Sequence, residues 1–251
     1  MSITLPQLSA SIVFPPSEQA LKHPDGLLAW GGDLSTERLL AAYQRGIFPW
    51  CSANEPLLWW TPSARMVLQF QHLHISHSLK KQLRKIQRNP LGSRQVRIDT
   101  AFTDVMRACA GKRQHQEGTW IAEDFIQAYT QLHNQGYAHS VELWEDEQLI
   151  GGLYGVSIGK MFYGESMFSH QTDASKITLV FLMYYLALQG VYLVDCQQET
   201  PHLTSMGGAC IPRQSFEQHL QLVCPQAPIQ WQKGFVCPDI LDSTTPIAAL
   251  A

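Results

Sequence analysis

The stretch SVELWEDEQLIGGLYGVSIGKMFYGES, residues 140–166, indicates the fold class. Its three segments are rich in apolar residues, are separated by short turn signals, and cover 140–144, 148–158 and 160–166. Segments of this kind, bounded by charged or glycine-containing turns, are typical of strands joined by hairpins. The stretch therefore predicts an antiparallel meander, with its middle strand carrying the glycine-rich run 151–155.

Segments with helical spacing of apolar residues lie on both sides of the meander. We predict helices at 77–88, 101–110, 122–135, 174–189 and 215–223, and further strands at 96–98 and 192–197. The first sixty or so residues are rich in Pro, Gly and Trp and allow one helix, which ends at Gly46. This mixture of helices, a meander and further strands predicts an α+β fold with a mostly antiparallel sheet.

The change in composition along the chain predicts its domain organisation. We assign residues 1–70 to a small N-terminal domain and residues 71–240 to a larger domain. We assign residues 241–251 to a tail that we expect to be poorly ordered, because it carries no periodic pattern.

Composition and charge limit the class of protein. Apolar residues make up 45% of the chain and charged residues 16%, which is a globular balance. The longest apolar stretch, 177–188, is shorter than the roughly 20 residues that span a membrane, and the N-terminus lacks the features of a secretory signal. We therefore expect a cytoplasmic protein with no membrane segment. The formal net charge of -3 does not indicate a nucleic-acid binder, so the distribution of charge must decide that question.

Positive charge is concentrated in one predicted helix. Four cations share one helical face by their spacing, namely Lys81, Arg84, Lys85 and Arg88. Like charges so placed repel each other, and a phosphate backbone would relieve that repulsion. The face indicates either a surface that binds a nucleic-acid backbone or an ordinary solvated surface, and the pattern leaves both interpretations open.

Tryptophans in the Gly- and Pro-rich loops form a second group of candidates. Trp50 and Trp120 lie outside periodic segments, and a tryptophan in a loop offers a face on which a base can stack. The alternative interpretation is that these side chains pack in the core of a small domain.

Polar residues follow two apolar strands. We predict that Glu165 ends one strand and that Asp195 and Gln197 end another, the latter two projecting from the same face. A carboxylate beside an amide can hold that amide in one orientation, so we expect Asp195 to orient the Gln197 side chain. The pair could then accept a hydrogen bond from an attacking amine. A structural pair at a strand end is the alternative.

Several motifs together resemble the leucyl/phenylalanyl-tRNA–protein transferase family. They occur in family order and are GLLA 26–29, GGDL 31–34, YQRGIFPW 43–50, EGTWI 117–121, HSVE 139–142, GGLYG 151–155, GESMFS 164–169, ASK 174–176, DCQ 195–197 and GGACIPR 207–213. Ordered motifs over most of a chain are more specific than any one of them alone.

The resemblance implies a small N-terminal domain beside a GNAT-like acyltransferase domain, with no metal, ATP, acetyl-CoA or other cofactor. It implies that the donor is an aminoacyl-tRNA carrying Leu or Phe, with Met used less well. The acceptor would be a protein or peptide with an N-terminal Arg or Lys, and the product would enter N-end-rule degradation.

The resemblance also assigns residues. Trp50 and Trp120 match tryptophans that contact the terminal adenosine of the tRNA, and the basic helix matches a region that contacts the acceptor stem. Asp195 and Gln197 match the catalytic pair, and Glu165 matches an acidic residue of the active site. The pocket for the donor side chain maps onto Leu153, Leu179, Leu182, Leu186 and Val194.

Two other functions compete with this one. An acyl-CoA-dependent N-acetyltransferase needs a Gly/Arg-rich run of backbone amides for a pyrophosphate, and the segment SHQTD before the long helix, 169–173, matches that poorly. A non-catalytic tRNA-binding module would not need polar residues such as Asp195 and Gln197 at the end of a strand. The chain carries no P-loop, HExxH or GxGxxG motif. Aminolysis of an ester that is already activated requires none of them.

Overall fold

A computed structural model describes residues 5–52, 55–89, 92–111 and 121–235. Within these ranges the α-helices are α1 (Thr36–Tyr43), α2 (His77–Arg88), α3 (Phe102–Ala110), α4 (Glu123–Asn134), α5 (Ala174–Ala187), α6 (Pro201–Ser205) and α7 (Arg213–Val223). The strands are β1 (Gln7–Leu8), β2 (Leu27–Gly31), β3 (Phe48–Pro49), β4 (Leu58–Trp60), β5 (Ala64–Gln69), β6 (Arg94–Ile98), β7 (Ala138–Glu145), β8 (Gln148–Ile158), β9 (Met161–Ser169), β10 (Leu193–Gln197), β11 (Ala209–Pro212) and β12 (Gly234–Phe235).

Two sheets of different size organise these elements. The small sheet has the order β1-β2-β4-β3, and the large sheet has the order β11-β5-β10-β9-β8-β7-β6-β12. Neighbours in the large sheet pair antiparallel except β9 and β10, which run parallel. The meander predicted from residues 140–166 is confirmed as β7, β8 and β9, and the mixed fold with a mostly antiparallel sheet is confirmed with it.

Each face of the large sheet carries its own apolar core. One core joins the sheet to the small N-terminal region and to α3, α4 and α7. The other joins the opposite face to α2 and α5. Because α5 is covered on almost every side, its sequence is apolar all round, whereas α2 buries the single stripe of Leu79, Leu83 and Ile86.

Several boundaries agree with the sequence predictions, and some do not. The predicted helix at 77–88 and the predicted strand at 148–158 are confirmed without change. The prediction that Glu165 ends a strand is wrong, because β9 continues to Ser169 on its pairing with β8. Residues 64–69 form β5 inside the large sheet, although they fall within the range assigned to the small domain. The predicted tail at 241–251 lies outside the described residues.

Candidate active site

Glu165 lies at the centre of a small hydrogen-bonded group on the large sheet. It belongs to β9, and its side chain is partly exposed. Gln197 Nε2 donates to Glu165 Oε1 at 2.7 Å, and the Tyr129 hydroxyl donates to Oε2 at 3.3 Å. The parallel pairing of β9 and β10 explains why a side chain from each strand reaches the other.

Two buried tyrosines complete this group, and the sequence interpretation did not include them. Tyr43 ends α1 and Tyr129 lies on α4, and both side chains are fully buried. Their hydroxyls are hydrogen-bonded to each other, and the Tyr129 hydroxyl also contacts Glu165. They lie 86 residues apart in the chain, and each sits on the apolar face of its helix, where spacing alone predicts ordinary core packing.

The surroundings of Glu165 change its acidity. Desolvation raises the pKa of the Glu165 carboxyl to about 7, and the charge of Asp195 adds to the rise. Hydrogen bonds from Tyr43 and Tyr129 act in the opposite direction. Burial raises the pKa of both tyrosines well above their usual range, so they remain neutral hydrogen-bond donors. A carboxyl poised near neutral pH is suited to accept and release a proton.

Asp195 is engaged by a buried arginine. Arg65 Nε donates to Asp195 Oδ1 at 2.7 Å and Nη2 donates to Oδ2 at 2.6 Å. Arg65 is 1% exposed and Asp195 is fully buried. The sequence interpretation named Asp195 and not its partner, which lies 130 residues earlier in β5.

The expected contact between Asp195 and the Gln197 amide is replaced by a different one. Asp195 Oδ1 accepts the backbone N–H of Gln197 at 2.9 Å, whereas the side-chain amide donates to Glu165. A register shift separates the two residues where β10 pairs with β5, and Gln197 has a φ of 61°. Strict alternation does not apply across such a bulge, so Glu165 holds the amide that we expected Asp195 to hold.

The loop tryptophans differ in exposure. Trp50 is 37% exposed, and its ring meets that of Trp60 edge to face with centroids 5.5 Å apart. Trp59 and Trp60 are buried, and Trp60 Nε1 donates to the Trp50 carbonyl at 2.6 Å. Trp50 therefore presents part of its ring to solvent from a firmly held backbone, as a stacking platform requires. Trp120 lies outside the described residues.

The five residues assigned to the donor pocket lie together in the core between the sheet and α5. They come from β8, α5 and β10, none is more than 3% exposed, and they are Leu153, Leu179, Leu182, Leu186 and Val194. The structure thus brings these side chains into one apolar cluster, which is packed closed.

The basic face of α2 is exposed. Its apolar stripe packs on the core, and the opposite side carries Lys81, Arg84, Lys85 and Arg88, all exposed. In the part of the chain that the structure describes, none of these four forms an ion pair. By contrast, Arg94 is paired with Glu145 and Arg97 with Glu147.

The described residues contain one group with metal-ligating composition, formed by Asp99, His133 and His139. His139 Nδ1 lies 2.7 Å from Asp99 Oδ2, and His133 Nδ1 lies 2.8 Å from the Ala138 carbonyl oxygen. The His139 ring also stacks on Trp231 with centroids 4.3 Å apart. These contacts tie β7, α4 and the chain after α7 together. Among the described helices, none combines the length and apolar character needed to cross a bilayer.

Comparison with known proteins gives matches along most of the chain. Residues 67–221 match the family model described as leucyl/phenylalanyl-tRNA protein transferase, and residues 32–63 match the model of its N-terminal domain. A leucyl/phenylalanyl-tRNA–protein transferase of Bordetella avium is 52% identical over 95% of this chain and 98% of the relative. One of Nitrosomonas eutropha is 54% identical over 90% of this chain and 94% of the relative.

A likeness to a solved structure is much weaker. The structure of L-PGS from Bacillus licheniformis aligns over 80% of this chain and 64% of that chain, at 11% identity and a TM-score of 0.34. A TM-score at that level carries no argument about fold or function.

The matches by sequence make this chain an enzyme of the transferase class. It belongs to the leucyl/phenylalanyl-tRNA protein transferase family, since a family model covers more than half of the chain and relatives above 50% identity cover nearly all of it. The competing functions, an acyl-CoA-dependent N-acetyltransferase and a non-catalytic tRNA-binding module, are therefore disfavoured.

Proposed function

We propose that this enzyme transfers Leu or Phe, and Met less well, from aminoacyl-tRNA to an acceptor protein whose N-terminal residue is Arg or Lys. The modified acceptor then enters N-end-rule degradation in the cytoplasm. Family membership supports the transfer from tRNA to protein.

The proposed mechanism of amine attack is supported above all by the hydrogen bond between Gln197 and Glu165 at 2.7 Å. It joins an amide and a carboxyl whose pKa lies at about 7. Because the amide nitrogen is directed to Glu165, the amide oxygen is the atom that accepts a hydrogen bond from the attacking amine. A neutral amide is a very weak base, so the carboxylate of Glu165 is the group that takes up the proton.

The reaction is aminolysis of an ester. The acceptor's α-ammonium group gives one proton to Glu165, and the resulting amine nitrogen attacks the carbonyl carbon of the aminoacyl ester. The new C–N bond forms as the bond between that carbon and the ribose oxygen breaks. The second proton moves from nitrogen to the leaving ribose oxygen, so the catalysis is partly substrate-assisted. The enzyme's main contributions are to position the two substrates and to hold one proton.

Asp195 has a supporting place in this scheme. Its charge is matched by Arg65 at hydrogen-bonding distance, and removing a proton from a guanidinium is not feasible at physiological pH. Asp195 therefore stays paired and shapes the backbone at Gln197 rather than moving a proton.

The tRNA and the donor side chain occupy surfaces on different parts of the molecule. The exposed face of α2 contacts the acceptor stem, and counterions released from the phosphates favour that binding. Trp50 and Trp120 stack on the terminal adenosine. The donor side chain enters the apolar cluster between the large sheet and α5. Since that cluster is closed without a donor, its entry requires the facing side chains to move apart.

A transfer assay tests the function directly. Leucyl-tRNA with a radiolabelled leucine is incubated with the purified enzyme and a peptide that begins with Arg. We expect label in the peptide, and none in a matched peptide whose α-amine is acetylated, because the acetylated nitrogen is no longer a nucleophile. A third peptide that begins with Asp tests the acceptor preference and should remain unlabelled.

Other results would support a competing function. Binding of leucyl-tRNA without transfer to any peptide would make the protein a tRNA-binding module. Transfer of labelled acetyl groups from acetyl-CoA to the Arg peptide would make it an N-acetyltransferase.

A further inference from the structure

Arg65 is buried, and its guanidinium contacts two aromatic rings as well as hydrogen-bond acceptors. Its guanidinium carbon lies 4.7 Å from the centroid of the Phe48 ring and 4.7 Å from that of Phe216. Phe48 belongs to β3 of the small sheet, whereas Phe216 belongs to α7. The planar cation thus lies over two aromatic faces, which is a contact that guanidinium favours and ammonium does not reproduce.

All three nitrogens of the guanidinium donate hydrogen bonds. Nε and Nη2 bind the two oxygens of Asp195, and Nη1 donates to the carbonyl of Gly46 at 2.9 Å. A bidentate pair fixes the carboxylate in both position and rotation. Since Gly46 belongs to the small N-terminal region, one side chain links that region to the end of β10.

The Asp195 carboxylate in turn binds the backbone of Gln197. Asp195 Oδ1, which already accepts from Arg65, also accepts the Gln197 N–H at 2.9 Å. Gln197 has a φ of 61°, a conformation that residues other than glycine adopt infrequently and that needs support from its surroundings. From this backbone the Gln197 side chain reaches Glu165.

We infer that Arg65 is a positioning residue for aminoacyl transfer. Arg65 fixes the position of the Asp195 carboxylate, and Asp195 stabilises the left-handed backbone conformation of Gln197. The Gln197 side chain then donates to Glu165 and accepts a hydrogen bond from the acceptor amine. This inference rests on the proposed roles of Gln197 and Glu165. It differs from a purely structural role because the effect of Arg65 on the rate must pass through the Gln197 side chain.

The first measurement compares two buried arginines. Arg65→Lys keeps the positive charge and removes the bidentate contact with Asp195. The control, Arg38→Lys, makes the same replacement at a fully buried arginine that pairs with Asp33. Single-turnover transfer is followed with saturating leucyl-tRNA and Arg peptide. We expect Arg65→Lys to slow transfer by about 10²-fold, as misplacement of a reacting group does. Its affinity for leucyl-tRNA should stay within about twofold, and Arg38→Lys should keep the wild-type rate.

A double-mutant cycle with Gln197→Ala decides how Arg65 acts. If Arg65 works through Gln197, Arg65→Lys slows transfer by less than about threefold once the Gln197 side chain is gone. Two effects that multiply to the full product would overturn the inference, because Arg65 would then act independently. A normal rate for Gln197→Ala alone would instead refute the proposed role of Gln197, which separates the two failures.

Folding is checked by circular dichroism and thermal unfolding of every variant. If Arg65→Lys does not fold, the same cycle is run with Asp195→Asn, which keeps an oxygen for the Gln197 N–H and loses the charge. In that cycle the same non-additivity supports the inference that Asp195 acts through Gln197, and effects that multiply to the full product overturn it.

Discussion

Two glutamates of the large sheet, Glu142 on β7 and Glu165 on β9, have opposite surroundings. Glu142 is fully buried and accepts hydrogen bonds from Thr100, Ala101, Ser140 and Trp144. Glu165 is partly exposed and accepts from Gln197 and Tyr129. Both lie within motifs shared with the family, so the motifs alone do not tell them apart.

The number and kind of donors distinguish the two residues. Backbone N–H groups, hydroxyls and an indole surround Glu142, and they tie the start of α3 to β7. Such a carboxylate is a structural centre. Glu165 receives fewer donors; desolvation raises the pKa of its carboxyl to about 7, and the charge of Asp195 adds to the rise. The comparison teaches that an incompletely satisfied carboxyl with access to solvent, rather than the more deeply buried one, is the candidate for chemistry.

The largest expected effect is on the chemical step at Glu165. Glu165→Gln keeps the shape of the side chain and removes its ability to take up a proton. Single-turnover transfer should fall by about 10³-fold, within the range of general-base catalysis, while leucyl-tRNA binding is retained. A rate within tenfold of wild type would remove Glu165 from proton transfer.

The next effect is on stability at Glu142. Glu142→Gln replaces a carboxylate oxygen by an NH₂ group that faces donors, so we expect a loss of about 3 kcal/mol in the free energy of unfolding. Denaturant titration measures it. The variant should transfer leucine at close to the wild-type rate at a temperature where it is folded. A normal stability with a much slower rate would reverse the roles that the comparison assigns.

The pH dependence should separate the two sites further. Below pH 7 the single-turnover rate should fall about tenfold per pH unit, because Glu165 is then protonated, and it should level off above its pKa of about 7. The same raised pKa means that the folded state holds the proton more tightly than the unfolded chain. Stability from this group is therefore lost as pH rises from about 4.5 to about 7. Rates and unfolding curves of Glu165→Gln should lack both dependences.

The smallest effect concerns single hydrogen bonds. Tyr129→Phe removes a donor that lowers the pKa of Glu165, so the midpoint of the pH–rate profile should move to higher pH, with about a threefold loss of rate at pH 6.5. Ser140→Ala removes one of the donors to Glu142 and should cost about 1 kcal/mol of stability. Its pH–rate profile should match that of wild type. A shifted midpoint in Ser140→Ala would show that the two glutamates are coupled.

Local patterns were sufficient to predict much of the fold. Apolar segments bounded by turn residues predicted the meander, and a run of basic residues that stops before Asn89-Pro90 predicted α2 with both of its ends. Strand β5 was missed because ARMVLQ, residues 64–69, follows directly on a region read as loops and has no turn partner nearby. Its neighbours β10 and β11 come late in the chain, and a single sequence carries no signal for such pairing.

The candidate site was predictable only in part, for related reasons. Glu165, Asp195 and Gln197 were predicted as candidates because polar residues in or after apolar strands stand out. Asp195 and Gln197 were predicted to project from the same face of a strand, and the bulge at Gln197 breaks the alternation on which that prediction rested. Arg65, Tyr43 and Tyr129 reach the site through contacts 130 and 86 residues apart. Each of these looks like an ordinary core or surface residue until the elements are assembled.

The position of β5 has a consequence for synthesis on the ribosome. The chain emerges from its N-terminus, yet both strands that flank β5 lie in the last quarter of the sequence. Until β10 and β11 are translated, β5 has neither neighbour and both of its edges are open to pairing with other chains. The contacts of Arg65 with Asp195, and of Asp195 with Gln197, can therefore form only after these last residues have been synthesised. A nascent chain arrested before residue 193 carries Arg65 without the carboxylate that binds it in the folded protein, and leaves both edges of β5 unpaired.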